Sequence, residues 1–167
     1  SKLLTTNMKK ILLFSALSLG LFTQCDKNDD NSIDHSQDLL IGKWEVKDAN
    51  ITTTLNGIPV EDEDISEDDV IGTIFEFKTG NVINIKSYDS FDEEWYEEEG
   101  TYVYNIATNK ITITYNDDID LTDVVEMNVT KLNSTDFDFY IDETETFNEE
   151  NQEYVFYVKI EAFCKKM

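Results

Sequence analysis

Three features of the sequence predict an all-β domain, an antiparallel up-and-down meander that closes into an eight- or nine-stranded barrel. Apolar and polar residues alternate with a period of two from Leu39 onward. Short clusters of Asn, Asp, Gly, Ser and Thr interrupt this alternation at spacings that suit hairpins. No window of about eleven residues carries the apolar stripe of a buried helix. From Gly72 on, nothing between the strands is long enough for a crossover helix, so neighbours run antiparallel. Closing such a sheet on itself removes the exposed edges that template aggregation.

Taken in chain order, the first element is an export signal spanning residues 1–25. Met8-Lys9-Lys10 is a cationic start, with Ser1 to Asn7 lying ahead of the expected initiator, and Ile11 to Phe22 is an uncharged apolar run. That run is shorter than the roughly twenty residues a permanent membrane helix takes. Cys25 closes it and resembles the lipobox cysteine of bacterial lipoproteins, which implies acylation of its thiol and attachment to a membrane through an N-terminal lipid anchor. Residues 26–38 are polar and read as a tether, at most about 45 Å when extended. Its Asp-Lys-Asn-Asp-Asp opening resembles the acidic export tag of surface lipoproteins in some Gram-negative lineages, which implies an outer-membrane lipoprotein on the cell surface ahead of the periplasmic face. Asp26, Asn28, Asp30 and Ser32 imitate a calcium loop, but Asn31 stands where a sharp turn needs glycine and Gln37 where a bidentate glutamate is needed.

The barrel domain is assigned to residues 39–167, with strands expected at Lys43 to Asn50, Ile51 to Leu55, Gly72 to Lys78, Val82 to Tyr88, Trp95 to Ile106, Lys110 to Tyr115, Asp123 to Leu132, Asp136 to Phe147 and Gln152 to Phe163. Thr79-Gly80-Asn81, Thr108-Asn109 and Asn133-Ser134-Thr135 are the expected hairpin turns. Asn56 to Asp69 holds the only proline and a dense acidic run, and is read as a loop at one end of the barrel with room for a helical turn. On each strand one parity is apolar. Phe75 and Phe77, Ile83 and Ile85, Tyr102 and Tyr104, Ile111 to Tyr115, Val125 to Val129, Phe137 to Ile141 and Tyr154 to Ile160 supply the inward faces.

Leu40-Ile41-Gly42-Lys43-Trp44-Glu45-Val46, opening a meander just after a tether, resembles the Gly-x-Trp start of lipocalins and of the short bacterial lipocalin-like domain lipoproteins. The segments Phe75 to Asn81, Gly100 to Tyr104 and Lys131 to Phe137 are similar to later parts of that group. The resemblance implies that Trp44 plugs the closed end of the barrel under a cation from a late strand. The chain has no arginine, so Lys159 or Lys165 is expected to take that place.

Composition narrows the function. With 36 acids, 13 lysines and a formal charge of -23, the chain lacks the cationic face a nucleic-acid binder needs. Its 40% hydrophobic and 12% aromatic content is too rich for a disordered acidic segment. Catalysis is not expected. The single histidine, His35, falls in the tether, Cys164 reads as a buried small residue, and the carboxylates sit in solvated runs rather than in an apolar pocket that would hold one of them neutral. No cofactor is implied.

Three non-catalytic roles are left. A monomeric carrier would hold a small apolar or amphipathic molecule among Trp44, Phe77, Tyr102, Tyr104, Tyr115, Met127, Phe139 and Phe156, unless these side chains fill the barrel themselves. A protein-binding module or inhibitor would capture a cationic partner such as a lysozyme on the acidic exterior, as other small lipid-anchored barrels do. A calcium-binding or spacing protein would use Asp117, Asp118, Asp120 and Asp123, whose bland alternative is a solvated hairpin tip. The anchor is tested first: wild-type protein should partition into detergent and Cys25→Ser into the aqueous phase, whereas partitioning that survives the substitution would exclude acylation at this residue.

Overall fold

The computed structural model describes residues 35–61, 66–89, 93–116, 122–149 and 152–167. The signal segment, Cys25 and residues 26–34 of the tether lie outside the described residues. A short helix α1 (His35–Leu40) leads into β1 (Gly42–Leu55), followed by β2 (Ile58–Pro59) and the helical turn α2 (Glu67–Val70). The remaining strands are β3 (Ile74–Lys78), β4 (Val82–Asp89), β5 (Glu94–Asn105), β6 (Lys110–Asn116), β7 (Thr122–Leu132), β8 (Asp136–Glu149) and β9 (Gln152–Lys166). Sequential strands pair antiparallel from β3 to β9, β1 pairs with β3, and β1 also pairs with β9. That last pairing closes an eight-stranded meander barrel, with β2 as one extra strand beside β1.

β1 is one continuous strand where the sequence predicts two. Its register against β9 shifts between Val46 and Asp48, a bulge that reverses which parity faces inward. Trp44 and Val46 are buried before it, Ala49 and Thr53 after it. An alternation that changes phase reads as two short strands, although the backbone is unbroken. A second shift, between Val129 and Lys131 of β7, lets Val129 and Leu132 both pack against the core.

Within the Asn56 to Asp69 stretch, the described residues 56–61 and 66–69 form more than a loop. Asn56-Gly57 forms a tight turn with both residues at positive φ, and β2 folds back on β1 through Thr54 opposite Pro59 and Leu55 opposite Ile58. Proline is tolerated on this outer strand because it lacks only a donor. Ser66 caps α2 by accepting from the Asp68 N–H, and the Ile71 N–H returns to the Glu67 carbonyl. α2 packs against β1 and β4 where the five-residue β3 stops short. Between β2 and β3, Val46 bonds the Gly72 N–H and the Thr73 carbonyl, each at 2.9 Å.

The three turns named from sequence, with α1 and the end of β9, gather at one end of the barrel. There the interior is full. Phe77 stands edge-on to Tyr102 at 5.0 Å and to Phe137 at 5.6 Å, Phe137 tilts against Trp44 and Phe139, and Phe75 meets Phe139 edge-on. Tyr102 satisfies its buried hydroxyl by donating to the Lys78 carbonyl at 3.3 Å. Trp44 and Leu40 are both 0% exposed, and the indole N–H donates to the Leu40 carbonyl at 2.7 Å, turning α1 across the barrel end.

The cation over Trp44 is Lys166, not Lys159 or Lys165. Its Nζ lies 5.0 Å from the ring centroid, while Lys165 pairs with Asp136 and Lys159 with Glu161. Parity explains the correction, since Cys164 faces inward and so does the residue two beyond it, whereas Lys159 and Lys165 are on the outer face. Gly42 completes this end. Its φ of +129° disfavours any side chain, and a Cβ there would stand 3.0 Å from Lys166 Cε.

Emptying this site should be costly. Trp44→Ala is expected to lower unfolding free energy by about 3–5 kcal/mol in denaturant titration, whereas Trp95→Ala, at a side chain 52% exposed, should leave the midpoint nearly unchanged.

Candidate functional site: the open half of the barrel

Of the eight side chains expected to line a cavity, Trp44, Phe77, Tyr102, Tyr115, Met127 and Phe139 are buried in the core cluster. They fill the α1 end, forming a floor rather than a lining. Tyr104 is half-buried near the β7 bulge, where with Asn109, Val129, Thr130, Lys131 and Leu132 it borders a cleft of about 190 Å³. That volume is below the roughly 300–1,000 Å³ of pockets that enclose drug-sized ligands. Phe156 lies apart from the others, half-buried in the half of the barrel away from α1.

The rows around Phe156 define that second half. Across β1, β9 and β8, register places Ile51, Ile160 and Ile141 side by side, then Thr53, Val158 and Glu143, then Leu55, Phe156 and Glu145. All share the parity of the buried residues below them, Ala49, Ala162 and Phe139. Thr53 and Val158 are buried, yet Ile51, Leu55, Ile141, Phe156 and Ile160 are only partly so. An inward side chain in a closed barrel cannot reach solvent through the wall, so its exposure is through the mouth. The sequence signal for this was present but ambiguous, because alternation identifies the inward face and not whether anything fills the space it faces.

The opposite wall is built by β4 and β5. Ile85 sits opposite Glu98, Ser87 opposite Tyr96 and Asp89 opposite Glu94, with Glu98 and Tyr96 continuing the inward parity of Gly100 and Tyr102. Gly100 is required by close approach, since a Cβ would lie 2.7 Å from the Thr114 carbonyl oxygen and 3.2 Å from the Tyr115 ring. Burial pushes the Tyr115 phenol up from its ordinary pKa, and the Glu98 carboxylate adds to the shift. Burial likewise pushes the Glu143 carboxyl up, with the Glu145 charge as the second cause.

Both walls continue as ribbons beyond the filled half. Residues 94–99 of β5 are exposed on both faces, as are residues 144–149 of β8. Phe147 stacks on Tyr154 with centroids 5.4 Å apart on the inward parity of the β8–β9 ribbon. Tyr88 and Trp95 pair at 5.3 Å on the outer face of the β4–β5 ribbon, with Lys86 over the indole.

The outer wall is polar, and seven of its described lysines are engaged. Lys43, Lys47, Lys86, Lys110, Lys131, Lys159 and Lys165 each contact a carboxylate. Lys165, with the Thr135 hydroxyl, holds the Asp136 carboxyl well below the usual carboxylate range. Asp117, Asp118 and Asp120, proposed as calcium ligands, lie outside the described residues, as does the side chain of Asp123. His35 begins α1. No protein-family model matches this chain, and no characterised protein matches it either.

Cys164 is 0% exposed, and burial, with the Asp138 charge second, pushes its thiol far above its ordinary pKa. In the Cys25→Ser protein, a thiol reagent at pH 8 should therefore label Cys164 only slowly until denaturant is added. Rapid labelling of the native protein would show that the β9 end is not closed.

Proposed function

We propose that the protein is a non-catalytic carrier, held at the outer membrane through Cys25, that receives a small apolar or amphipathic molecule in the open half of its barrel. One observation carries this reading: the inward apolar row Ile51, Ile141 and Ile160, with Phe156 above it, is incompletely covered by the chain itself. Apolar surface facing water inside a concave site gains free energy when a ligand replaces the water, at roughly 25 cal/mol per Å². The packed α1 half supports the same use. It provides a fixed floor of Phe75, Phe139 and Tyr115, so the ligand's depth is set by groups that do not have to be ordered on binding.

An environment-sensitive apolar fluorophore should bind the delipidated Cys25→Ser protein saturably. Ile160→Trp, which places an indole inside the mouth, should remove that binding. Val103→Trp, on the outer wall at a side chain 63% exposed, should not. Circular dichroism and melting serve to check that both variants remain folded. Binding that persists in folded Ile160→Trp would place the probe elsewhere and overturn the carrier reading.

A further inference from the structure

β7 and β8 pair from Leu132 opposite Phe137 to Asn128 opposite Tyr140, and among the described residues no strand pairs with β8 on that side beyond Tyr140. β8 nonetheless runs on to Glu149, held against β9 in unbroken register as far as Glu149 opposite Gln152. The result is a regular strand with one edge fixed and the other open.

The direction of the backbone groups along this strand follows from β9. The Val155 N–H donates to the Asn56 side-chain oxygen and its carbonyl accepts from the Asn56 N–H, both at 2.8 Å, so both groups point towards β1. At the other end of β9 the Lys166 N–H donates to the carbonyl of Thr135, the residue before β8, at 3.0 Å. Even-numbered residues of β9 therefore bond towards β8 and odd-numbered ones towards β1. Carried across the register, the odd-numbered residues of β8 exchange bonds with β9, while Asp142, Thr144, Thr146 and Asn148 aim their N–H and C=O groups out at the open edge. Glu143, Glu145, Phe147 and Glu149 alternate with these residues on the inward parity.

We propose that this edge docks a peptide: an extended segment with a cationic side chain at every second residue adds to β8 as a further strand. The inference is independent of the carrier reading, since it uses the edge of the barrel wall rather than the interior. Open strand edges are satisfied by strands, and the flanking side chains decide which strand. From residue 142 to residue 149 there is neither a proline nor a bulge, two of the devices that keep a strand from adding. A second copy of β8 would bring its own acids beside Glu143, Glu145 and Glu149, where like charges repel. A segment with lysine or arginine at alternate positions instead sets its cations along that row while its backbone meets Asp142, Thr144, Thr146 and Asn148.

The test uses two capped decapeptides, one alternating lysine with threonine and one alternating lysine with proline. Their charges are equal, but proline fixes φ and removes every second N–H, so only the first can extend a ladder. In calorimetric titration of the Cys25→Ser protein, the lysine–threonine peptide should bind at least about tenfold more tightly. Its binding should slow hydrogen exchange, followed by nuclear magnetic resonance, at the amides of Thr144 and Thr146. The double variant Thr144→Pro, Thr146→Pro deletes two edge donors while sparing the β9 ladder and the charge, and should bring the two peptides level. Glu143→Gln with Glu145→Gln should weaken the lysine–threonine peptide more than Glu45→Gln with Glu76→Gln, which removes the same charge near the α1 end. Equal affinity for the two peptides, unchanged exchange at Thr144 and Thr146, or a preference that survives in the folded proline variant would overturn the proposal. Should the proline variant not fold, the exchange result in the parent protein decides. Slowing of the same amides as protein concentration rises, with no peptide present, would assign the edge to a second copy and also overturn it.

Discussion

The interior of an eight-stranded barrel is only wide enough for its own side chains or for one small ligand, so every account of this protein depends on where its own side chains stop. Trp44 sets the starting point. Its indole is buried, donates to Leu40, lies against Phe137 and is covered by Lys166, so α1, β1, β8 and β9 meet at one side chain. From that end the aromatic rows fill the barrel up to Phe75, Phe139 and Tyr115. Beyond them the inward rows of β1, β8 and β9 carry Ile51, Ile141, Ile160, Phe156 and Glu143, which are only partly covered.

Charge follows the same division. Lysines on the outer wall are paired with nearby carboxylates, pairs that contribute little to stability when exposed but keep a strongly acidic surface ordered. Among the described lysines, Lys166 at the α1 end is the one on an inward position. Burial of the Glu143 carboxyl, with the Glu145 charge beside it, raises its pKa, which opposes folding at neutral pH.

Much of the fold was legible. The parity of Phe75 and Phe77, Ile111 and Ile113 and Phe137 and Phe139 named the buried face, and short polar clusters named the turns at the α1 end. Local rules failed where the period of two was interrupted. The bulge after Val46 splits the alternation of β1, the dense acids around residues 61–69 obscure the Asn56-Gly57 hairpin, and Lys166 rather than Lys165 covers Trp44 because the inward phase of Cys164 extends to it. The candidate site was legible only as a face. Tyr102 and Phe156 share an inward phase with the rest, and only packing separates a floor residue from a wall residue.

Six isoleucines separate a half-filled barrel from one filled throughout. With isoleucine methyl groups labelled for nuclear magnetic resonance, a neutral, water-soluble paramagnetic agent should broaden Ile51, Ile141 and Ile160, which share the inward face of the open half. It should spare Ile83, Ile111 and Ile113, which are 0% exposed in the filled half. Equal protection of all six would contradict the division of the barrel on which the proposed site depends.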